Sequence, residues 1–287
     1  MMLAAKLGDI EMDLLTVAEG MFSYIYNLSV SLFTTNPKDW AESMGVWGVI
    51  NQIYNNILPV GCSLVVVFFL IGFCSNTIDV KEELNFEKAI RLFIRLGITE
   101  WFVVNSLAIT GYLFSMVSGL IGLVNIASTT PAITSPVSSY IHNMSNTSRV
   151  VLLFVVIFYL VILPVSGAAI MVIALTRLFK IMLIIPYGPI AYSTIAGGIQ
   201  VISGTLPAFI KYLLGTLLEA FSIMVGLRIG QLMIIQKSLF DLTQIQSSDY
   251  LMPCVLSLCQ TMISVVLLTI LVKIAKDVGT KSLGLIQ

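Results

Sequence analysis

Residues 57–74 read ILPVGCSLVVVFFLIGFC, an apolar run that no charged side chain interrupts. The hydrocarbon core of a bilayer is roughly 30 Å thick, which about 20 helical residues cross at a rise of about 1.5 Å each. Backbone groups in lipid must also be hydrogen-bonded within the segment, which a helix achieves. The run, extended backward to about Trp47, therefore predicts a transmembrane helix.

Four more apolar runs of similar length follow along the chain. They cover about 99–125, 150–175, 211–235 and 251–272. The 287 residues are 57% hydrophobic and 10% charged, whereas soluble domains are about 45–50% apolar and about 25% charged. Because such a composition suits a chain solvated by lipid, we predict an all-α fold: a polytopic α-helical integral membrane protein with about five transmembrane helices.

The stretch 181–210, between the third and fourth runs, is apolar but interrupted by helix-breaking residues. These are Pro186, Gly188, Pro189, Gly197, Gly198, Gly204 and Pro207. Proline removes a backbone donor, and glycine weakens a helix interior. We expect two short helices or a re-entrant segment here and not a plain span.

The basic residues predict the orientation, because cytoplasmic loops accumulate lysine and arginine. One side of the predicted spans carries Lys81, Lys88, Arg91, Arg95, Arg177, Lys180, Lys211, Lys273, Lys276 and Lys281, and the other carries Lys6, Lys38, Arg149 and Lys237. An outer N-terminus and a cytoplasmic C-terminus fit this asymmetry, provided that 181–210 returns to the side it left. The predicted organisation is an extracytoplasmic region 1–46, a transmembrane domain 47–272 and a cytoplasmic tail 273–287, in a bacterial cytoplasmic membrane.

The N-terminal region is expected to form an amphipathic helix. Apolar residues at helical spacing are Leu14, Val17, Ala18, Met21, Phe22 and Ile25, which would share one face. Two interpretations stay open: this face packs against the spans of its own chain, or it docks a neighbouring subunit. A second amphipathic stretch, 79–96, predicts a helix along the cytoplasmic membrane surface that turns inward near Gly97.

Three ionisable residues fall within or at the edge of predicted spans. Glu100 begins the second, and Glu219 and Arg228 lie in the fourth. Ionisable groups at membrane depth are costly and usually face protein or water. At about 100° per residue, the spacing of Glu219 and Arg228 puts them on opposite faces. Each is therefore a candidate to face a lumen, another helix or the membrane interface, which a long side chain reaches by snorkelling.

Two ridges of small residues are predicted on the spans. One comprises Ser222, Gly226 and Gly230, and the other Gly111, Ser115, Gly119 and Gly122. Such ridges let two helices approach closely in lipid. Packing within one chain is one interpretation. The other is a homo-oligomer in which the fourth span lies near a central lumen.

No sequence signature of catalysis is present. The chain lacks a phosphate-binding G-x-x-x-x-G-K-S/T loop and an H-E-x-x-H motif. The single histidine, His142, falls in a polar loop, 126–149, and is interpreted as a solvated loop residue. The cysteines Cys62, Cys74, Cys254 and Cys259 lie in apolar runs and are interpreted as packing residues. We expect no enzyme activity, no cofactor and no metal.

Four features of the chain resemble one known group of membrane proteins. An amphipathic N-terminus leads through WGVINQIYNNILPVG (47–61) into the first span, and LNFEKAIRLFIRLGITEWFVVNS (84–106) leads into the second. The run RLFKIMLIIPYGPIAYS (177–193) begins with arginine and contains Pro-Ile-Ala, and the C-terminal end is amphipathic and bears lysines. In these respects the chain resembles the TrbL/VirB-six group, the polytopic inner-membrane channel subunits of bacterial type IV secretion and conjugation systems.

The resemblance implies a structural subunit of a translocation channel. Such a subunit would form a homo-oligomer in the lipid bilayer, pass DNA–protein complexes or effector proteins, and depend on cytoplasmic ATPases among its partner subunits. It implies a structural role for Arg177, Pro186, Pro189, Ile190 and Ala191. Two other readings stay open: a permease component or small-solute transporter with its binding site at 181–210, and a membrane scaffold without a lumen.

Overall fold

The computed structural model describes residues 2–78, 86–124, 137, 140–141, 144–197, 204–232 and 250–281. Over these ranges the chain is helical and contains no strand. The helices are α1 (Met2–Thr34), α2 (Pro37–Ser43), α3 (Val46–Ile78), α4 (Phe86–Val104), α5 (Ser106–Gly122), α6 (Asn146–Ile184), α7 (Gly188–Ser193), α8 (Thr205–Gly230) and α9 (Leu251–Lys281). Two 3₁₀ turns, Ile185–Tyr187 and Thr194–Gly197, flank α7.

Long apolar helices confirm the predicted fold class. Four stretches are long and apolar enough to cross a membrane: Val46–Cys74, Ser148–Gly197, Thr205–Gly230 and Leu251–Gly279. A bent pair, Ile90–Val104 with Ser106–Gly122, makes a fifth if it is counted as one span. The protein is therefore a multi-pass α-helical membrane protein, and its described residues contain four or five spans.

The expected break after the third span is present, but it starts later than the sequence indicated. Helix α6 continues past residue 175 to Ile184, and the first 3₁₀ turn, α7 and the second 3₁₀ turn follow directly. The part of the broken stretch at 198–203 lies outside the described residues. Helix α8 begins at Thr205, before the expected 211, because Pro207 sits in the first turn, where its missing N–H costs no helical hydrogen bond.

The sequence predicts that the chain turns inward near Gly97. In the structure the bend instead lies at Asn105, between α4 and α5. Helix α4 passes through Gly97, and its axis makes an angle of 64° with that of α5. The hydroxyl of Tyr54 lies 3.3 Å from the carbonyl oxygen of Val103 and 3.2 Å from that of Val104, as a donor to both. It is also hydrogen-bonded to Ser106 Oγ at 2.9 Å. The bend therefore has a tertiary cause, since a side chain from α3 occupies carbonyls at the break.

The chain forms two compact units. The first comprises Met1–Thr34, Leu123–Leu175 and Ser222–Val278, and the second comprises Thr35–Gly122, Thr176–Phe221 and Gly279–Gln287. Each is described separately below.

In the first unit, the buried face of α1 includes Ala18 and Phe22 as predicted but otherwise differs from the expected one. Its buried residues are Glu11, Leu15, Ala18, Phe22, Tyr26, Ser29, Leu32 and Phe33. Val17 and Met21, which were assigned to the buried face, are about half exposed. The buried face is rotated so that it includes Glu11. The apolar residues alone could not predict this, because a buried glutamate does not fit an apolar pattern.

Helix α1 packs along α6 of its own chain. A Cβ built on Gly167 of α6 would lie 3.3 Å from the Phe22 ring and 3.4 Å from Ile25 Cβ. The Tyr159 hydroxyl donates to Glu19 at 3.5 Å. Residues 19–25 of α1 thus lie beside the apolar stretch predicted as the third span. The location of residues 1–46 relative to a membrane stays a prediction.

Candidate functional site

The second unit buries an arginine and a glutamate inside apolar helices. Arg177 of α6 and Glu219 of α8 are each only 1% exposed. Arg177 Nε donates to the backbone oxygen of Thr216 at 3.2 Å, and the Glu219 carboxylate is close enough to act electrostatically on the guanidinium. Thr216 and Glu219 are three residues apart and therefore share one face of α8. This face supplies both a backbone acceptor and a counter-charge to Arg177.

Neutralisation is the physical requirement that explains this arrangement. An isolated charge inside a protein or a bilayer is strongly unfavourable, whereas a charge with an opposite charge and hydrogen bonds is tolerated. Arg177 is the largest fully buried side chain of the described residues. The pair, called here the Arg177–Glu219 pair, therefore joins α6 to α8 at a point where neither residue could stay buried alone.

The broken stretch that follows Arg177 lies directly against α3. A Cβ built on Gly61 would be 2.7 Å from Pro189 Cβ and 3.1 Å from the Pro189 carbonyl oxygen. A Cβ on Gly72 would be 2.8 Å from the backbone oxygen of Gly197. Real side chains do not approach this closely, so both positions of α3 require glycine. The two contacts hold α7 and the second 3₁₀ turn against α3, backbone close to backbone.

Aromatic contacts join α7 to two further helices. The Tyr192 ring stacks on Phe102 of α4 with centroids 5.9 Å apart and an interplanar angle of 7°. It meets the Phe209 ring of α8 edge-on at 6.0 Å. Such arrangements are favourable beyond the burial of area. Helix α7 is therefore the common neighbour of α3, α4 and α8.

The hydroxyl groups of the broken stretch bond to its own backbone. Ser193 Oγ donates to the Ile190 oxygen and Thr194 Oγ1 to the Ala191 oxygen, both at 2.7 Å. Both side chains are buried. Their hydrogen bonds are thus used locally, and they stabilise a compact run of short helices.

The structure brings together residues that the sequence treated as unrelated. Arg177, Pro186, Pro189 and Ala191, singled out by the resemblance, are buried in the second unit, and Ile190 is partly exposed. Glu219 was singled out separately, as a charge in a predicted span, and it proves to be the electrostatic neighbour of Arg177. The sequence did not reveal this pairing, because Arg177 is one of three basic residues in its helix and Glu219 is one of three charged residues in α8.

The two other charges at predicted spans have different surroundings. Glu100 is exposed, and Arg228 is partly exposed. The Arg228 side chain can therefore extend along α8 and place its guanidinium in a polar environment. Of the three predicted charges, Glu219 alone is buried.

The two small-residue ridges also differ. A Cβ built on Gly226 would lie 2.9 Å from Ala275 Cβ, so this glycine packs against α9 of the same chain. Gly230 is buried and Ser222 partly exposed. On α5, Cβ atoms built on Gly111, Gly119 or Gly122 would meet nothing within 4 Å. Ser115, on the same ridge, is exposed, and its hydroxyl donates to the Gly111 oxygen at 3.2 Å.

Metal-ligating side chains do not cluster within the described parts of the chain. No group of three or more His, Cys, Asp or Glu residues there is placed to hold an ion. The predicted loop residue His142 lies outside the described residues.

These observations define a class: a multi-pass α-helical membrane protein with a charge pair enclosed between two of its helices. No family model, no curated protein and no solved structure matches the chain.

Proposed function

We propose that the protein is a channel or scaffold subunit of a type IV secretion apparatus in the bacterial cytoplasmic membrane. Copies of it form an oligomeric conduit for DNA–protein complexes or effector proteins, and partner ATPases supply the energy. The observation that carries the proposal is the position of residues 177–193, one of the four features on which the resemblance to the TrbL/VirB-six group rests. This segment is the packing centre of the second unit.

The contacts of that segment suit a structural subunit. Arg177 joins α6 to α8 through Thr216 and Glu219, and Pro189 meets α3 at Gly61. The helices that line a conduit must keep fixed positions relative to one another. In some proteins a buried charge pair fixes such positions. The proposed role of the Arg177–Glu219 pair is to fix α6 against α8.

The uncovered surface of α3 supports an assembly in the membrane. In its most apolar part 17% of the residues are buried, against 50% in α8. Val66, Leu70 and Ile71 are among the side chains of α3 that are roughly half exposed. A face of this kind is available to lipid and to neighbouring subunits.

The same packing favours the conduit subunit over a small-solute permease. A permease of the kind considered would bind its solute where unwound backbone lines a cavity. In the described part of the broken stretch, Pro189 and Gly197 instead touch α3 with no room for a Cβ between them. Ser193 and Thr194 direct their hydroxyls to local carbonyls.

Gene deletion in the bacterium that carries the protein tests the proposal. Transfer of DNA or effector protein to recipient cells should fall to background, and a plasmid copy of the gene should restore it. A plasmid copy that carries both Arg177→Leu and Glu219→Leu should restore transfer to the deletion strain partly, provided that the variant reaches the membrane at normal levels. A matched control is Gly48→Ala, since a Cβ there meets nothing within 4 Å. Wild-type transfer from the deletion strain, or loss of uptake of one small solute instead, would contradict the proposal.

A further inference from the structure

The second unit contains a cavity outside the site described above. Its volume is about 530 Å³, which is within the range of small-ligand pockets, about 300–1,000 Å³. It lies between the α2 region, the first turns of α3 and residues 107–115 in the N-terminal part of α5. Asn36, Lys38, Asp39 and Asn51 supply polar groups on one side, and Leu107 and Gly111 of α5 are on the other.

Two adjacent residues give the cavity one charge of each sign. Lys38 and Asp39 lie in the first turn of α2, which Pro37 begins and Asn36 caps. Asn36 Oδ1 accepts from the Lys38 backbone N–H at 2.9 Å, so the cap fixes the start of the helix. The cavity therefore presents an ammonium and a carboxylate on a rigid turn.

Lys38 is oriented by two neighbours but retains capacity for a ligand. Its Nζ lies 3.7 Å from Glu42 Oε1 and 5.8 Å from the centre of the Trp47 ring. An ammonium has three donors, and the side chain is about half exposed. An incoming phosphate oxygen can therefore bind Lys38 without displacing Glu42.

The surroundings are those of a membrane interface. Trp47 and Tyr112 line the cavity, and tryptophan and tyrosine are enriched where hydrocarbon meets water. Beyond the cavity, the α5 ridge is open: a Cβ on Gly111 or Gly119 would meet nothing within 4 Å. Met116, on the exposed side of α5, is 63% exposed. An acyl chain fits this shallow track, since small residues leave space for it.

We propose that the cavity binds the headgroup of a phospholipid that carries a phosphodiester and a primary ammonium, as phosphatidylethanolamine does. The phosphate is bound by Lys38, the ammonium by Asp39 and the side-chain oxygen of Asn51, and one acyl chain follows α5 past Gly111 and Gly119. A primary ammonium is favoured over a quaternary one because it donates hydrogen bonds to these oxygens. This inference does not depend on the secretion function.

Lipid titration of the delipidated full-length protein, followed by native mass spectrometry, tests the site. The probes are phosphatidylethanolamine, phosphatidylcholine and phosphatidylglycerol with identical acyl chains, together with water-soluble glycerophosphoethanolamine. We expect phosphatidylethanolamine to bind about tenfold more tightly than either other lipid, because each of those lacks a charge-assisted contact. Equal binding of the three lipids, or tighter binding of phosphatidylglycerol, would overturn the proposal.

Single substitutions distinguish the contribution of Lys38 to lipid binding from that of Asp39. Lys38→Gln and Asp39→Asn should each weaken phosphatidylethanolamine binding about tenfold, and Lys38→Arg should retain it. The controls are Lys211→Gln and Asp13→Asn, which change the same charges at exposed positions outside the cavity. Gly119→Trp should weaken the lipid but leave any binding of glycerophosphoethanolamine unchanged. If the soluble headgroup binds as tightly as the lipid, or if Gly119→Trp dissociates an oligomer and leaves lipid binding intact, the lipid site is refuted.

Discussion

Among the residues that the structure describes, each of the two units buries one glutamate and one arginine, but the two sets differ in their position in the helices. In the first unit, Glu11 of α1 is 0% exposed, and Arg149, in the first turn of α6, is 6% exposed and donates from Nη2 to the Ile141 oxygen at 3.1 Å. In the second unit, Arg177 and Glu219 both lie inside helices that are apolar enough to span a membrane. The first set thus includes an arginine at a helix start, whereas both charges of the second set lie in helix interiors.

In the first unit, the buried carboxyl of Glu11 also has an altered pKa. Burial raises the pKa of the Glu11 carboxyl, and the charge of Arg149 lowers it in part. A cation in the first turn of a helix is also disfavoured by the helix dipole, so Arg149 gains from a nearby acid. Glu11 can thus change charge with pH, whereas the described link in the second unit is the hydrogen bond from Arg177 Nε to the Thr216 oxygen.

The largest expected effect comes from breaking the fixed pair. Arg177→Leu leaves Glu219 buried without its counter-charge, and the folded protein should lose about 3–5 kcal/mol of stability. Thermal unfolding of the purified protein in detergent measures this loss. The double variant with Glu219→Leu should recover most of it. Arg228→Leu, at a partly exposed position of α8, serves as the control; a double variant as unstable as the single one would show that the two charges are not coupled.

The second prediction concerns the glycines that bring backbones together. Gly61→Ala should cost about 1–3 kcal/mol, because its Cβ would overlap with Pro189, whose backbone cannot easily move away. Gly167→Ala in the first unit should cost less, since its Cβ would meet only the side chains of Phe22 and Ile25. Gly48→Ala is the control in α3, and it should stabilise slightly. Equal costs at Gly61 and Gly48, measured by thermal unfolding, would refute the close packing of α7 on α3.

A smaller effect is expected at the bend between α4 and α5. Tyr54→Phe removes the hydroxyl that serves the Val103 and Val104 oxygens, and a lost buried hydrogen bond costs about 1 kcal/mol. Amide hydrogen exchange should accelerate at residues 103–110 and not at the far end of α5. Tyr24→Phe, at an exposed position of α1, should leave exchange unchanged. Unaltered exchange in the Tyr54 variant would mean that the hydroxyl does not hold the bend.

The smallest prediction is a pH dependence confined to the first unit. Because the folded-state pKa of Glu11 is raised above its ordinary value of 4.5, the protonated carboxyl stabilises the fold, and this benefit is lost as pH rises through the raised pKa. The groups that act on Glu11 from other helices are Arg149 and Cys254. Unfolding temperatures across pH 4–8 should therefore decline in the wild type, and less in Glu11→Gln.

A matched control for this measurement is Asp13→Asn, at an exposed position two residues away on α1. Its pH profile should follow that of the wild type. If the Glu11→Gln profile does so as well, Glu11 is not the titrating group.

The sequence predicted the helices and the break, because both follow from local properties: apolar length and the positions of Pro186 and Pro189. It did not predict contacts between distant segments. Arg177 and Glu219 belong to different helices separated by the broken stretch, and no periodicity relates them. The bend was misplaced for the same reason, since Gly97 marks a weak point in α4 whereas Tyr54, from α3, determines where the chain turns.

The buried face of α1 also shows that a sequence pattern does not predict contacts between distant segments. A pattern of apolar residues assigned Val17 and Met21 to the interior, but both are half exposed. Glu11, which such a pattern excludes, is fully buried with Arg149 as an electrostatic neighbour. A charge enters an interior when another element supplies its partner, and only the tertiary structure reveals that partner.

The bend at Asn105 also has a consequence for the surrounding lipid. Helix α5 beyond it has 17 residues, which at about 1.5 Å per residue span about 25 Å, less than the roughly 30 Å of an average hydrocarbon core. Helix α5 alone is therefore too short to cross, and α4 supplies the rest of the crossing as the other arm of a pair bent by 64°. Acyl chains beside this pair therefore meet a protein surface that changes direction at Asn105, and they cannot pack against it as they do against a straight helix.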